Sequence, residues 1–202
     1  TAAFGIPLIA KLLANPRGMG IILTPTRELA MQVCVMLDQL AGKDSKLKSA
    51  LLIGGESMPK QLHQLRNRPR IIVGTPGRVN DHLTRGSLML NEANFLVLDE
   101  TDRMLDMGFE IQIEKILKYM PKQRQTLLFS ATFSPEIKKL AQSYLRTPVT
   151  VEVARQNAAA DTVKQVVHMV SSADKQRAIV KVLEARTRQG LSRQCIIFTN
   201  SR

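Results

Sequence analysis

Short, nearly unbroken apolar runs alternating with segments of helical spacing constrain this chain more than any other feature. The runs are Gly20–Leu23, Ser49–Ile53, Ile71–Val73, Phe95–Leu98, Thr126–Phe129, Val163–Val170 and Cys195–Phe198. Between them, Glu28 to Leu40 sets Leu29, Val33, Met36, Leu37 and Leu40 on one helical stripe, and Ile111 to Met120 does the same with Ile113, Ile116, Leu117 and Met120. Ser134 followed by Pro135 opens a helix running to Leu145, with the serine as cap and the proline at the first helical position. Strands that are apolar on both faces must be covered on both. The expected class is therefore α/β, a parallel sheet with helices on either side.

The alternation breaks between Val153 and Thr162, where Arg155-Gln-Asn-Ala-Ala-Ala160 has no apolar stripe of useful length. Residues 1–152 are expected to form one domain and 153–162 a linker. Residues 163–202 then supply one strand, one helix (Asp174 to Gln189, with Ile179, Val180 and Leu183) and one more strand. A lone strand–helix–strand unit lacks the neighbours needed to bury its faces, so this stretch reads as the opening of a second domain. No apolar run approaches the ~20 residues that span a bilayer, and no signal-peptide pattern opens the chain. Cys34 and Cys195 have no paired spacing, which argues against a zinc site or disulfide scaffold and fits a reducing cytosol.

Ligands of open α/β sheets bind beyond the carboxyl ends of the strands, and five of the runs end there in polar clusters. Phe95–Leu98 delivers Asp99 and Glu100, then Thr101 and Asp102. Carboxylates so placed can hold a magnesium ion and orient a water against a phosphate; a solvated turn or helix cap uses the same residues. After Gly20–Leu23 comes Thr24-Pro-Thr-Arg-Glu-Leu-Ala30, in which Thr26 can cap a helix whose first N–H groups favour an anion. Gly54 and Gly55 allow a close backbone approach or a tight turn. Thr75-Pro-Gly-Arg78 joins a hydroxyl, a small residue and a guanidinium suited to phosphate, or forms a turn with a solvated arginine. Ser130 and Thr132 can reach the acids ending the Phe95 run, or cap a helix. All these clusters would share one sheet edge. The three histidines, His63, His82 and His168, have no metal-ligand spacing and read as structural or solvated. Met104, Met107 and Phe109 read as core contacts, and Asp106 as a surface carboxylate.

The formal net charge is +12, which points to a polyanionic partner, nucleic acid ahead of a membrane surface. Lys60, Arg66, Arg68, Arg70 and Arg78 fall in a stretch without a single acid. Aromatic residues make up only 4% and Trp is absent, so backbone contacts rather than base stacking are expected.

The ordered set Pro25-Thr-Arg-Glu-Leu29, Gly54-Gly55, Thr75-Pro-Gly-Arg78, Asp99-Glu-Thr-Asp102 and Ser130-Ala-Thr132 resembles the DEAD-box family of ATP-dependent RNA helicases. The resemblance begins at Thr1-Ala-Ala-Phe-Gly-Ile-Pro7, similar to the segment just after the family's phosphate-loop lysine. It extends to Ile196-Ile-Phe-Thr-Asn-Ser-Arg202, similar to the first motif of the family's second domain. It implies a RecA-like first domain and ATP with Mg²⁺ as cofactors. Asp99 would hold the metal through water, with Thr1 as a further magnesium-side hydroxyl. Glu100 would orient the attacking water, and Asp102 would pair with Ser130 and Thr132 to link nucleotide state to domain closure. Pro25, Thr26, Arg27, Glu28, Gly54, Gly55, Thr75, Pro76, Gly77 and Arg78 would grip the backbone of single-stranded or short duplex RNA without sequence selectivity. The Met104-Leu-Asp-Met-Gly-Phe109 stretch looks more bacterial than eukaryotic. Thr101 stands where the family usually has Ala, and altered packing rather than lost chemistry is expected. The phosphate loop would precede Thr1 and the arginine finger would follow Arg202, so the chain is expected to be an excerpt, inactive by itself. The other reading is a non-catalytic RNA-backbone clamp on the same fold.

Overall fold

The computed structural model describes residues 1–42, 44–153, 166–188, 190 and 195–198. The chain divides into two compact units, Thr1–Gln156 and Asn157–Arg202.

In the first unit, β1 (Met19–Leu23), β2 (Ser49–Leu52), β3 (Ile71–Gly74), β4 (Ala93–Leu98) and β5 (Gln125–Leu128) form one sheet in the order β2-β3-β1-β4-β5. Every neighbouring pair is parallel, with Ile22 opposite both Val73 and Val97 at the centre. Period-two alternation sends successive side chains to opposite faces. Ile22, Ile71, Val73, Phe95 and Val97 meet α1 (Ala2–Ala14) and α2 (Arg27–Ala41) on one side. Ile21, Leu23, Ile72, Leu96 and Leu98 meet α4 (Pro76–Thr84), α6 (Glu110–Lys118) and α7 (Pro135–Tyr144) on the other. Two further helices, α3 (Met58–Arg66) and α5 (Thr101–Asp106), follow β2 and β4. Both faces are covered, as the apolar strands require. No described helix is long and apolar enough to cross a membrane.

The inward line of α2 differs from the expected stripe. Ala30, Val33 and Leu37 are buried, while Met36 and Leu40 are exposed. The lines through 29-33-36-40 and 30-33-37-41 share Val33 and are equally helical in spacing. The second line carries Ala30 inward, and the larger side chains are left outside.

Polar side chains also hold the layers together. Arg70, from the basic stretch, turns its guanidinium to the carbonyls of Leu12, at 2.9 Å, and Asn15 at the end of α1, and to Gly18 at 2.9 Å. It closes a helix terminus whose carbonyls have no intrahelical partner. His82 is fully buried: Nε2 donates to Gln61 Oε1 at 3.1 Å, and Nδ1 lies 2.9 Å from Ser87 Oγ. Gln61 Nε2 donates in turn to the Ile53 carbonyl at 2.9 Å. Burial, assisted by Arg78, pushes the His82 pKa below its usual 6.5. The unfolded chain then binds a proton more readily than the folded one. Stability should be complete above about pH 6.5 and decline as pH falls through it. Urea midpoints at pH 7 and pH 5 should differ less in His82→Gln than in the parent; equal differences would remove His82 from the acid response.

In the second unit, α8 (Lys175–Arg188) follows a short 3₁₀ turn in which Ser171 Oγ accepts from Asp174 N at 3.3 Å. Of the expected strand–helix–strand, the helix is present. Residues 166–170 and 195–198 lie in no strand, and residues 163–165, with most of the expected linker, are outside the described residues. An apolar run becomes a strand only where another strand receives its backbone groups. Ile179 and Val180 are correspondingly exposed at 39% and 53%.

Candidate functional site

Five backbone hydrogen bonds carry the sheet one step past its strands and assemble the carboxyl edge. Thr75 N donates to Leu52 O at 3.1 Å, Thr24 N to Gly74 O at 3.1 Å, and Asp99 N to Leu23 O at 3.0 Å. Phe129 N donates to Leu98 O at 2.8 Å, and Thr101 N returns one to Phe129 O at 2.9 Å. Loops from all five strands are thereby fixed side by side, as the alternation predicts.

At the centre, Asp99 Oδ1 accepts from the backbone N of Glu100 at 3.1 Å. Burial raises the Asp99 pKa, and the hydrogen bond from Glu100 N acts in the opposite direction. A carboxylate whose charge is disfavoured by burial suits a cation beside it. Thr1 begins α1 through its carbonyl, and its hydroxyl makes no capping bond. Glu100 has φ 50° and ψ 54°, the left-handed region, where a side chain costs about 1–2 kcal/mol. Its carboxylate accepts from Arg103 Nη1 at 3.2 Å, an ion pair with both partners about half exposed and so of small worth.

Thr101 is fully buried, and its hydroxyl donates to Leu98 O at 3.2 Å. The extra oxygen relative to alanine is therefore satisfied, and Leu98 O keeps its bond from Phe129 N without it. Thr101→Ala should cost about 1 kcal/mol and leave the edge in place, which denaturant unfolding will measure. A loss several times larger would mean that the hydroxyl organises the turn.

Asp102 Oδ2 accepts from both N and Oγ1 of Thr132, at 3.0 and 3.1 Å, while Oδ1 takes Arg103 N at 3.0 Å. Ser130 does not join them: its Oγ is buried and has no partner among the described residues. Thr132 N and Oγ1 are the donors that reach Asp102 from this loop. The expected trio is thus a pair with a neighbouring unsatisfied hydroxyl.

On the other side of the edge, Thr26 caps α2 as expected, accepting from Leu29 N at 3.3 Å. The Arg27 guanidinium lies over Gly54 and Gly55. A Cβ on Gly55 would stand 2.1 Å from Nη1, and φ of 78° independently favours glycine there. Arg78 is mostly covered. Its Nη1 donates to Glu56 O at 3.1 Å and its Nε lies 3.4 Å from Asp81. An open hollow of about 440 Å³ is bordered by Pro25, Thr26, Arg27, Glu28, Gly54, Thr75, Gly77 and Arg78. Pro76 is buried at the first turn of α4 instead, and Gly55 lies beneath Arg27. Asp81, Met107 and Phe109 complete the wall. Met107 is 49% exposed, a correction to its expected core role, whereas Met104 is buried and Phe109 is half-buried against the core. Gly108, with φ 73°, follows Met107 in the turn that ends α5, and its N donates to Leu105 O at 2.8 Å.

The edge therefore offers a half-buried carboxylate just past the end of β4, a second carboxylate on a strained turn, and a hollow with two guanidinium groups. A family profile described as DEAD/DEAH box helicase matches residues 1–140. An ATP-dependent RNA helicase, CshA, of Limosilactobacillus reuteri is 45% identical over 166 residues, covering 82% of this chain and 33% of that protein. A DEAD-box ATP-dependent RNA helicase, CshA, of Bacillus subtilis strain 168 is 39% identical over 188 residues, 93% of this chain and 38% of that protein. Among solved structures, a DEAD box protein from the hyperthermophile Methanococcus jannaschii superposes with a TM-score of 0.71 at 39% identity, over 91% of this chain and 49% of that one. The chain thus spans between a third and two fifths of the length of these curated relatives.

Proposed function

The chain belongs to the DEAD/DEAH box helicase family, and on that premise we propose that its carboxyl edge serves an ATP-dependent RNA helicase, which couples ATP hydrolysis to local opening of RNA duplexes. The observation that carries this is the joint placement of Asp99, Glu100 and the Asp102–Thr132 pair beside the hollow of Arg27 and Arg78.

Asp99 and the Thr1 hydroxyl would hold Mg²⁺, Asp99 through water. Few protein ligands suit an ion that keeps several waters and binds substrate phosphates. Once bound, the ion neutralises the charge that develops on the transferred phosphoryl group. Glu100 orients the attacking water and draws off its proton. Asp102, through Thr132, ties the loop after β4 to the loop after β5, so that a change at the nucleotide is felt along the edge. Arg27, Arg78 and the backbone around Gly54, Gly55, Thr75 and Gly77 hold the sugar–phosphate chain of RNA, without reading its bases. Pro25, Thr26, Glu28 and Pro76 shape that surface. Residues 1–152 act as the first helicase domain, 153–162 as a linker, and 163–202 as the opening of the second. A cytoplasmic setting is favoured by the free thiols of Cys34 and Cys195. The 202-residue chain alone should hydrolyse ATP negligibly, because the family's phosphate-loop lysine and arginine finger are not among its residues.

The test is ATP hydrolysis by the full-length protein with and without single-stranded RNA. A rate that rises with RNA supports the proposal. RNA binding with no hydrolysis would replace the enzyme with a clamp.

A further inference from the structure

The excess positive charge does not lie where the site is. The loops that follow the five strands, residues 24–28, 53–60, 75–81, 99–106 and 129–136, contain eight carboxylates and four cations. The segments that enter the strands, residues 15–19, 42–48, 66–70, 91–92 and 120–124, contain eight cations and two carboxylates among the described residues. The two sets occupy opposite edges of one parallel sheet, because every strand runs in the same direction.

Five of these cations converge at the adjacent strands β2, β3 and β1: Arg17, Lys46, Lys48, Arg66 and Arg68. Register fixes the grouping. Ser49 faces Ile71, Ile71 faces Gly20, and Arg70 N and Ile71 N both donate to Lys48 O. Three strands at about 4.8 Å spacing bring the entry segments within roughly 10 Å of one another. All five residues are exposed, and none forms an ion pair among the described residues. Arg68 also holds φ 50°, a left-handed position where Gly or Asn would be easier. Arg70, by contrast, is committed to the end of α1.

We propose that this basic amino edge is a second RNA-backbone surface, separate from the hollow at the carboxyl edge, that holds the flank of a longer or folded RNA while the carboxyl edge works on a short strand. The inference rests on RNA being the substrate of the carboxyl edge. Exposed, unpaired cations without aromatic neighbours suit phosphate contact and release of counterions rather than base recognition. An RNA longer than the carboxyl-edge site can engage both edges, and attachment at two points raises its apparent affinity without a new contact at either.

The experiment uses the full-length protein and a variant with Lys46, Lys48, Arg66 and Arg68 each changed to Glu, alongside a milder variant with Gln at the same positions. Binding is measured for a ten-nucleotide single strand and for a long RNA with a duplex flank, across a salt series. The charge-reversed protein should bind the long RNA about ten- to a hundredfold more weakly, with a shallower salt dependence. The Gln variant should fall between it and the parent, and the ten-nucleotide strand should be unaffected in both. Unchanged affinity for the long RNA would overturn the proposal, including the case in which the edge instead captures an acidic protein. Equal losses for both RNAs would overturn it too, since the edges would then not be separate. If the parent binds long RNA through these cations but fails to bind the short strand, the amino-edge surface stands and the reading of the carboxyl edge falls.

Discussion

Replacing Glu100 by Gln should lower RNA-stimulated ATP hydrolysis by the full-length protein about 10²- to 10⁴-fold, some 3–5.5 kcal/mol in the barrier. The amide keeps the size of the carboxylate and can still accept from Arg103, but it cannot take a proton from water. The backbone should not respond: Glu100 has no side-chain capping bond, and its ion pair with Arg103 is exposed. Folding stability should therefore move by no more than a few tenths of a kcal/mol. ATP and RNA affinities should stay near those of the parent, because Asp99 and the arginine hollow are untouched. A kcat within threefold of the parent would remove Glu100 from the chemistry. A loss shared equally by kcat and ATP affinity would make it a binding residue instead.

The second large effect concerns Gly74, the last residue of β3. A methyl group there would stand 2.4 Å from the carbonyl oxygen of Leu52, 3.0 Å from Val79 Cγ2 and 3.1 Å from Leu52 Cβ. The first obstacle is backbone in a neighbouring strand, which cannot rotate aside like a side chain. Gly74→Ala should cost about 3 kcal/mol and lower Tm by roughly 10 °C in a unit of this size. It should also disturb the site, since Thr24 N donates to Gly74 O and Thr75 N to Leu52 O. Gly77, three residues on in the first turn of α4, has nothing within 4 Å of an added Cβ. Gly77→Ala should leave stability unchanged or raise it by up to about 1 kcal/mol, while weakening RNA binding if that backbone meets phosphate. Thermal unfolding of both variants decides the matter; equal Tm values would mean that the sheet accommodates the Gly74 methyl.

The sheet was legible because its strands are apolar on both faces, and each of the five runs in the first unit is a strand within two residues of its expected ends. Motifs at strand ends could then be placed on one edge without any side-chain geometry. Helices were harder where periodicity carries no contrast. Ala2–Ala14 is apolar almost throughout, and α3 buries Gln61, so neither shows a clean polar–apolar stripe. Met107 misleads because an exposed methionine in a turn has the same local sequence as a buried one. Side-chain partnership was the least legible level. The sequence pairs Asp102 with both hydroxyls, whereas the folded loop joins it to Thr132 and leaves Ser130 Oγ without a partner among the described residues. Net charge is one quantity in the sequence, whereas the sheet separates it into two edges of opposite character.

The loop after β5 is held in two unlike ways. At Phe129 its backbone is pinned on both sides, by Leu98 O and Thr101 N, in the body of the sheet. Three residues later, the exposed Thr132 is retained by the half-buried Asp102 carboxylate. Releasing Thr132 uncovers no apolar core and forfeits two hydrogen bonds, about 2 kcal/mol in all. At that cost the loop would spend a few per cent of its time unlatched. Residues 130–132 therefore behave as a hasp hung on a fixed hinge: a small bias at Asp102 can set its position, and the sheet behind it does not move.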